Sequence, residues 1–417
     1  MNRTLKACVG ATLGVAGCTF ATLGNAQSSI TLYGVVDVGI NYSSNTQTGV
    51  SARGAPKGAS QVYMADGLAG GKMGSRWGLR GSEDLGDGTH AVFALENGFS
   101  INNGAFAQGG AEFGRQAWVG LENDRFGTVL LGRQYEFTTE YVGVLSSVTS
   151  FAGEFGTHPG NVDGLLNIRR VNNALKYQSP DFHGLSFGAI YGVGGQAGSL
   201  SQDSVLGAGI RYAVSGVSVG ASYLDARNPN ISIFGINPSA GGVTTNNIGS
   251  VGSATSVQTA PIISGFASAR TMDEVALAGA YTIGAERVGV VFTRTAFNDL
   301  GDAGSGPNPL HLQGSVHINN AEANYLHRFT PAVSVGAAYD YQWTSDVGGS
   351  DGARYQQVSL GVDYALSKRT DVYALAAWQH ASGTNSLGQP AVAQIGVLSP
   401  SATDHQVALT VGIAHRF

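Results

Sequence analysis

The chain has 417 residues, 43% of them hydrophobic but only 12% charged, with 62 glycines and a formal net charge of −5. A soluble surface ordinarily carries about twice that share of charge. Disorder is excluded by the hydrophobic fraction and by 17 Phe, 16 Tyr and 4 Trp, collagen by the aperiodic glycine, and a helical membrane protein because no run approaches the ~18 consecutive apolar residues of a spanning helix.

In chain order, residues 1–26 read as an export leader, with Arg3 and Lys6 at a basic start, an apolar run over 7–20 and Gly24-Asn25-Ala26 as a small-residue cleavage site. The mature chain is expected to begin at Gln27. Both cysteines, Cys8 and Cys18, fall inside the leader, so the mature chain is expected to hold neither disulfides nor thiolate metal sites. A rival reading takes Val15-Ala16-Gly17-Cys18 as a lipoprotein site, but Ala26 stands at the better distance from the first strand. Removing Arg3 and Lys6 leaves 21 cations against 28 acids, a net charge of −7. Of those cations 17 are arginine, which keeps its charge and planar geometry in a confined polar space. There is no basic patch, so no nucleic-acid partner is expected.

After the leader, period-two alternation recurs. Over 30–42, Leu32, Val36, Val38, Ile40 and Tyr42 share one face and Thr31, Asp37 and Asn41 the other. Segments 217–225, 332–343 and 404–417 repeat the pattern, the last with Val407, Leu409, Val411, Ile413, His415 and Phe417 against Gln406, Thr410 and Arg416. Sixteen such segments start near Ile30, Ser75, His90, Phe113, Phe126, Ile168, Leu185, Val205, Val217, Asp273, Arg287, Asn320, Ala332, Arg354, Asp371 and Asp404. Short turns near 84–88, 180–184, 214–216, 284–286, 330–331 and 366–370 alternate with long polar stretches at 43–74, 134–167, 226–271, 298–316 and 381–403. The stretch 226–271, rich in Ser, Asn, Gly and Thr, reads as an exposed loop or a disordered segment without a packed core. Aromatics near strand ends, among them Tyr42, Tyr212, Tyr223, Tyr341, Trp343 and Phe417, fit interfacial girdles. An even count of strands near ten residues, with loops short on one side and long on the other, predicts an all-β, 16-stranded antiparallel transmembrane β-barrel with short periplasmic turns and long external loops. A soluble sandwich would need a more charged outer face than these Ser, Thr, Gly and Asn positions offer.

Several motifs then converge: 25–34 as NAQSSITLYG, 74–86 as GSRWGLRGSEDLG, 95–99 as LENGF, 113–121 as FGRQAWVGL, 131–135 as LGRQY, 366–370 as LSKRT and the terminal His415-Arg416-Phe417. On these the chain resembles the general trimeric porins of Gram-negative bacteria, in particular the branch found in β-proteobacteria. The resemblance spans 27–417 and implies an outer-membrane homotrimer among lipid and lipopolysaccharide. Such a channel admits ions and small hydrophilic solutes passively and needs no cofactor. It implies that Phe417 is the terminal aromatic read by the barrel-insertion machinery, and that the third loop, 134–167, folds into the lumen. The first external loop and 226–271 are longer than the family leads one to expect.

The resemblance also implies a constriction in which an arginine ladder faces acids on the third loop. Arg76, Arg115 and Arg170 match the ladder, Glu154 in Gly153-Glu154-Phe155-Gly156 matches the loop-tip acid, and Asp163 stands second. Where the family carries a further acid near the tip, this chain has Ser150. Strand parity agrees for Arg76 and Arg80, opposite Trp77 and Leu79, and for Arg170 and Lys176 if Val171, Leu175 and Tyr177 face lipid. Arg115 is placed inward on the assumption that Trp118 faces outward, and Arg133 is a further lumenal charge. An arginine on the lipid face at midplane would cost ~2–4 kcal/mol, which favours inward placement. The constriction is expected to be weakly anion-selective. No HExxH, GxSxG elbow or phosphate-binding loop appears, and the one close pair of histidines noticed, His311 and His317, reads as solvated, so no enzyme is expected.

Overall fold

The computed structural model describes residues 28–51, 55–166, 169–235, 245–250, 258–346 and 348–417. The leader expected over 1–26, with both cysteines, lies outside them. Seventeen strands form one antiparallel sheet: β1 (Ser29–Val50), β2 (Pro56–Asp66), β3 (Arg76–Gly86), β4 (Thr89–Gly98), β5 (Gln116–Asn123), β6 (Gly127–Gln134), β7 (Val171–Gln178), β8 (Leu185–Gly192) and β9 (Val205–Val214), then β10 (Val217–Arg227), β11 (Thr271–Ile283), β12 (Glu286–Leu300), β13 (Gly314–Arg328), β14 (Val333–Thr344), β15 (Arg354–Ala365), β16 (Thr370–Ser382) and β17 (His405–Arg416).

The sheet closes where β17 pairs with β1, from Val35↔Arg416 to Ser43↔Ala408. On its other side β1 meets β3 over Ser29–Val35 and β2 over Val38–Val50. The wall is therefore a closed barrel of sixteen strands, the second broken into β2 and β3. Residues 67–75 make the break. There the backbone amides of Lys72 and Met73 donate to Asp37 Oδ2 at 3.1 and 2.6 Å, and Gly71 O accepts from the Glu154 amide at 3.0 Å.

Sixteen strand positions match the sequence reading; β2 is the addition. Residues 43–74 are not one long loop but a hairpin that carries β1 on to Val50. Its far end shows little apolar–polar alternation, as expected of a hairpin with water on both faces.

Outward positions form the apolar band that a membrane barrel needs: Leu32 is 58% exposed, Leu131 55% and Val411 67%. At the closure, Phe417 exchanges backbone hydrogen bonds with Gly34, and its ring lies where a Cβ on residue 34 would stand. Any larger residue at position 34 would collide with the terminal ring.

The third loop does fold inward as a chain of short 3₁₀ and π turns between Thr138 and Asn161. Wall glycines admit it: Phe137 lies against Gly188 and Gly209, and Phe151 against Gly336 and Gly361, all at distances a side chain would close. Gln357 Nε2 donates to Phe155 O at 3.1 Å and Thr157 O at 2.9 Å, and Ser359 Oγ to Phe155 O at 2.6 Å.

One expectation is overturned in the segment 226–271. Its described part includes α1 (Pro229–Ser232), and Ile231, Ile233, Ile248, Ile262, Ile263 and Phe266 are buried. Ile233, Ile248, Ile262, Ile263 and Phe266 join a cluster with Phe297, Val316 and Tyr355. This loop has a core because its few large apolar residues, scattered among Ser, Gly and Asn, converge on the wall. It is pinned to the loop between β16 and β17 where Ser386 Oγ donates to Pro261 O at 2.7 Å and accepts from the Gly265 amide at 3.0 Å.

Candidate functional site: a lumenal constriction

Register places Arg80 opposite Thr31 and Arg76 opposite Val35, on the inner face of β3. Tyr33, opposite Gly78, lies between them and holds the guanidinium of Arg80 5.4 Å from its ring centroid. Glu96 of β4 organises this wall: it accepts Tyr33 Oη at 2.9 Å and Arg115 Nε at 2.5 Å, and lies 4.0 Å from Arg76 Nε. Arg170 donates to Tyr135 Oη at 3.0 Å with its guanidinium 4.9 Å from that ring centroid. Lys176 Nζ binds Glu140 Oε2 at 2.5 Å and Tyr135 O at 3.0 Å. The sequence reading missed Glu96; its even parity with lumen-facing Val92 and Ala94 was the available signal.

Two of these inward placements have other causes than those expected. Trp118 faces the lumen, lining a cavity of about 470 Å³ with Arg80, Gln116, Glu122, Lys176 and Gln178, while Val119 and Leu121 face out. Arg115 reaches Glu96 because it precedes β5, where strand parity has not begun. Val171 is buried with Phe137 and Ala174 rather than lipid-facing. The left-handed Asn173 (φ 49°) and the register shift between Gly132 and Gln134 insert a residue and reverse parity there. Arg133 shares strand parity with outward Val129 and Leu131. Its Nε donates to Gly114 O at 2.9 Å and its Nη1 to Asn172 Oδ1, so it braces the end of β6 instead of adding a lumenal charge.

Across from the arginines, Glu154 lines a cavity of about 170 Å³ together with Arg76, Lys72 and Phe151. Its Oε2 is enclosed without a hydrogen-bond partner. Burial pushes this carboxyl well above its ordinary value; Asp66 and Asp37 push the same way and Arg115 pulls it back. Position 150 carries Ser150, whose hydroxyl accepts from Arg287 Nη1 at 2.8 Å.

Asp163 departs from the expectation of a constriction acid, because it is fully buried behind the loop. Its Oδ2 lies 2.6 Å from His158 Nδ1 and accepts Thr293 Oγ1 at 2.7 Å, while His158 Nε2 lies 3.2 Å from Glu322 Oε2 and 3.4 Å from Asp340 Oδ1. Glu322 also accepts the Ser147 amide at 2.9 Å and Ser147 Oγ at 2.7 Å. This cluster holds the loop against β13 and β14, and an odd acid in a loop gave no sign of which side it faced. Arg169, next to the expected Arg170, is likewise paired with Glu274 of β11.

Comparison with known proteins agrees with this architecture. The Gram-negative porin family matches residues 11–384. An outer membrane porin protein of Bordetella pertussis is 36% identical over 224 residues, which are 50% of this chain and 57% of that protein. Outer membrane porin protein 32 of Delftia acidovorans is 28% identical over 94% of this chain and 95% of its own. Among solved structures, an anion-selective porin from Comamonas acidovorans has the same fold, with TM-score 0.64, 22% identity, and coverage of 94% of this chain and all of its own. A closed sixteen-stranded wall, an apolar outer belt, a loop folded into the lumen and a family match over most of the length leave one assignment: the chain belongs to the Gram-negative porins and resides in the outer membrane.

Proposed function

We propose that this porin is a general diffusion channel, a water-filled path for passive passage of ions and small hydrophilic solutes, with a weak preference for anions. The observation that carries the reading is the clustering of Arg76, Arg80, Arg115 and Arg170 on one stretch of inner wall, with Glu96 set among them. Local lining charge governs permeation more than the net charge of the chain does. The positive field of this wall across the water beside it orients dipolar solutes and disfavours apolar ones, which give up ordered water without return. That a porin of the same fold is described as anion-selective is in keeping with the reading. In a planar bilayer under a salt gradient, the reversal potential should have the sign of anion preference; clear cation preference would refute the proposal.

Assembly as a homotrimer in lipid and lipopolysaccharide, after delivery by the insertion machinery through Phe417, completes the proposal. A structure of similar fold is described as a trimer form. Unheated protein should run in a gel as a larger species than heated protein, and deleting Phe417 should deplete that species. A single band in both lanes, or undiminished assembly without Phe417, counts against it.

A further inference from the structure

The register of the last hairpin puts His380 of β16 directly opposite His405 of β17. Their ring centroids are 4.6 Å apart, and Asp404 bridges them, with Oδ1 2.7 Å from His405 Nδ1 and Oδ2 3.6 Å from His380 Nε2. One ligand atom from each of the three lies within 4.8 Å of the others. All three side chains are one-third to one-half exposed. They occupy the outward face, since His405 has the parity of exposed Val407, Leu409 and Val411, and His380 that of Trp378, whose ring stacks 6.3 Å away. They sit at the long-loop end of both strands, one step above the apolar band.

From this arrangement we infer that His380, Asp404 and His405 form a binding site for a divalent transition-metal ion of the zinc class on the outer rim of the barrel. Two imidazoles and one carboxylate make the donor set that zinc, nickel and copper favour, and zinc bonds of about 2.0–2.2 Å are reached by drawing the three groups together. Magnesium and calcium require more oxygen donors than one carboxylate supplies. Two donors come from a rigid cross-strand pair, so little ordering is needed on binding. The three protein donors come from one side only and leave a tetrahedral ion's fourth position open to water or to an anionic oxygen from outside the barrel. A bound ion would clip β16 to β17 at the base of the loop that joins them.

The full-length protein, folded in detergent, tests this by calorimetric titration with zinc chloride. One ion should bind per chain, with affinity reduced at least about tenfold in H380Q and in H405Q and lost in the double variant. Excess magnesium should not compete. With Cu²⁺ as probe, electron paramagnetic resonance should show coupling to two nitrogens, reduced to one in each single variant. Both imidazoles are partly exposed, so the variants should keep the wild-type shift in gel mobility on heating, which verifies folding. Absence of saturable zinc binding, displacement by equimolar magnesium, or binding that survives the double variant in folded protein would each overturn the site.

Discussion

Replacing Arg76 and Arg170 together by alanine should shift ion preference toward cations by several-fold in permeability ratio and raise single-channel conductance. The two guanidiniums differ in their surroundings. Arg76 is partly exposed beside the cavity that Glu154 also lines, and Glu96 is 4.0 Å away. Arg170 is buried against Tyr135 and acts through its field. One unit charge at 4 Å is worth about 1 kcal/mol even in bulk water, and more where water is confined, so two charges change local anion occupancy by roughly tenfold or more. Arg80 and Arg115 remain, and Arg115 keeps its bond to Glu96, so the preference should weaken or cross over without the wall collapsing. Glutamine at both positions separates charge from bulk: it should reproduce the selectivity shift with a smaller gain in conductance. If reversal potentials stay at the wild-type value in both pairs of variants, these arginines do not face the permeation path.

The strands were legible in the sequence because the membrane enforces a rule at every step: one face in hydrocarbon, the other wet. That rule produces alternation such as Val407, Leu409, Val411 and Ile413, and it places Arg76 and Arg80 on the correct face. Legibility failed wherever the rule lapsed. The β1–β2 hairpin runs on past the pairing of β1 with β17, and there Pro56–Ser60 carries little apolar–polar pattern. At Asn173 a single left-handed residue reversed the parity upstream of it and turned Val171 from lipid-facing to buried. An outward Trp118 is an assumption that nothing in the strand's own pattern tests; its indole instead lines the inner cavity, with Nε1 donating to Gln116 Oε1 at 2.9 Å. The site was only half legible for a related reason. Inward charge can be inferred from parity, but partners come from other strands or from loop folding, so Glu96, the burial of Asp163 and the meeting of His380 with His405 needed three-dimensional register.

Removing the imidazole in His158→Ala should unlatch the third loop, giving larger and noisier single-channel currents with the barrel still assembled. His158 is enclosed by Asp163, Glu322 and Asp340, and Arg169 with its partner Glu274 stands beside Asp163. Breaking such a buried cluster by deleting its cation leaves carboxylates uncompensated, a loss of about 3–5 kcal/mol. The hydrogen-bonded strands remain intact, so the cost should appear as loop release. The dependence on pH has a definite sign. Burial alone would push His158 down, but the carboxylates of Asp340, Asp163 and Glu322 outweigh it and hold the imidazole well above its ordinary value. Its contribution is therefore complete below about pH 6.5, its unfolded value, and is lost only as pH rises through the elevated folded value. Burial would raise Asp163, yet His158 and Thr293 hold it below its ordinary value, so its share persists above about pH 4 and is lost on stronger acidification. Wild-type current noise should thus be low at mildly acidic pH and grow at alkaline pH, whereas His158→Ala should be noisy throughout. Quiet currents in the variant at neutral pH would show that Phe151 against Gly336 and Gly361, with the bonds from Gln357 and Ser359, hold the loop without the imidazole.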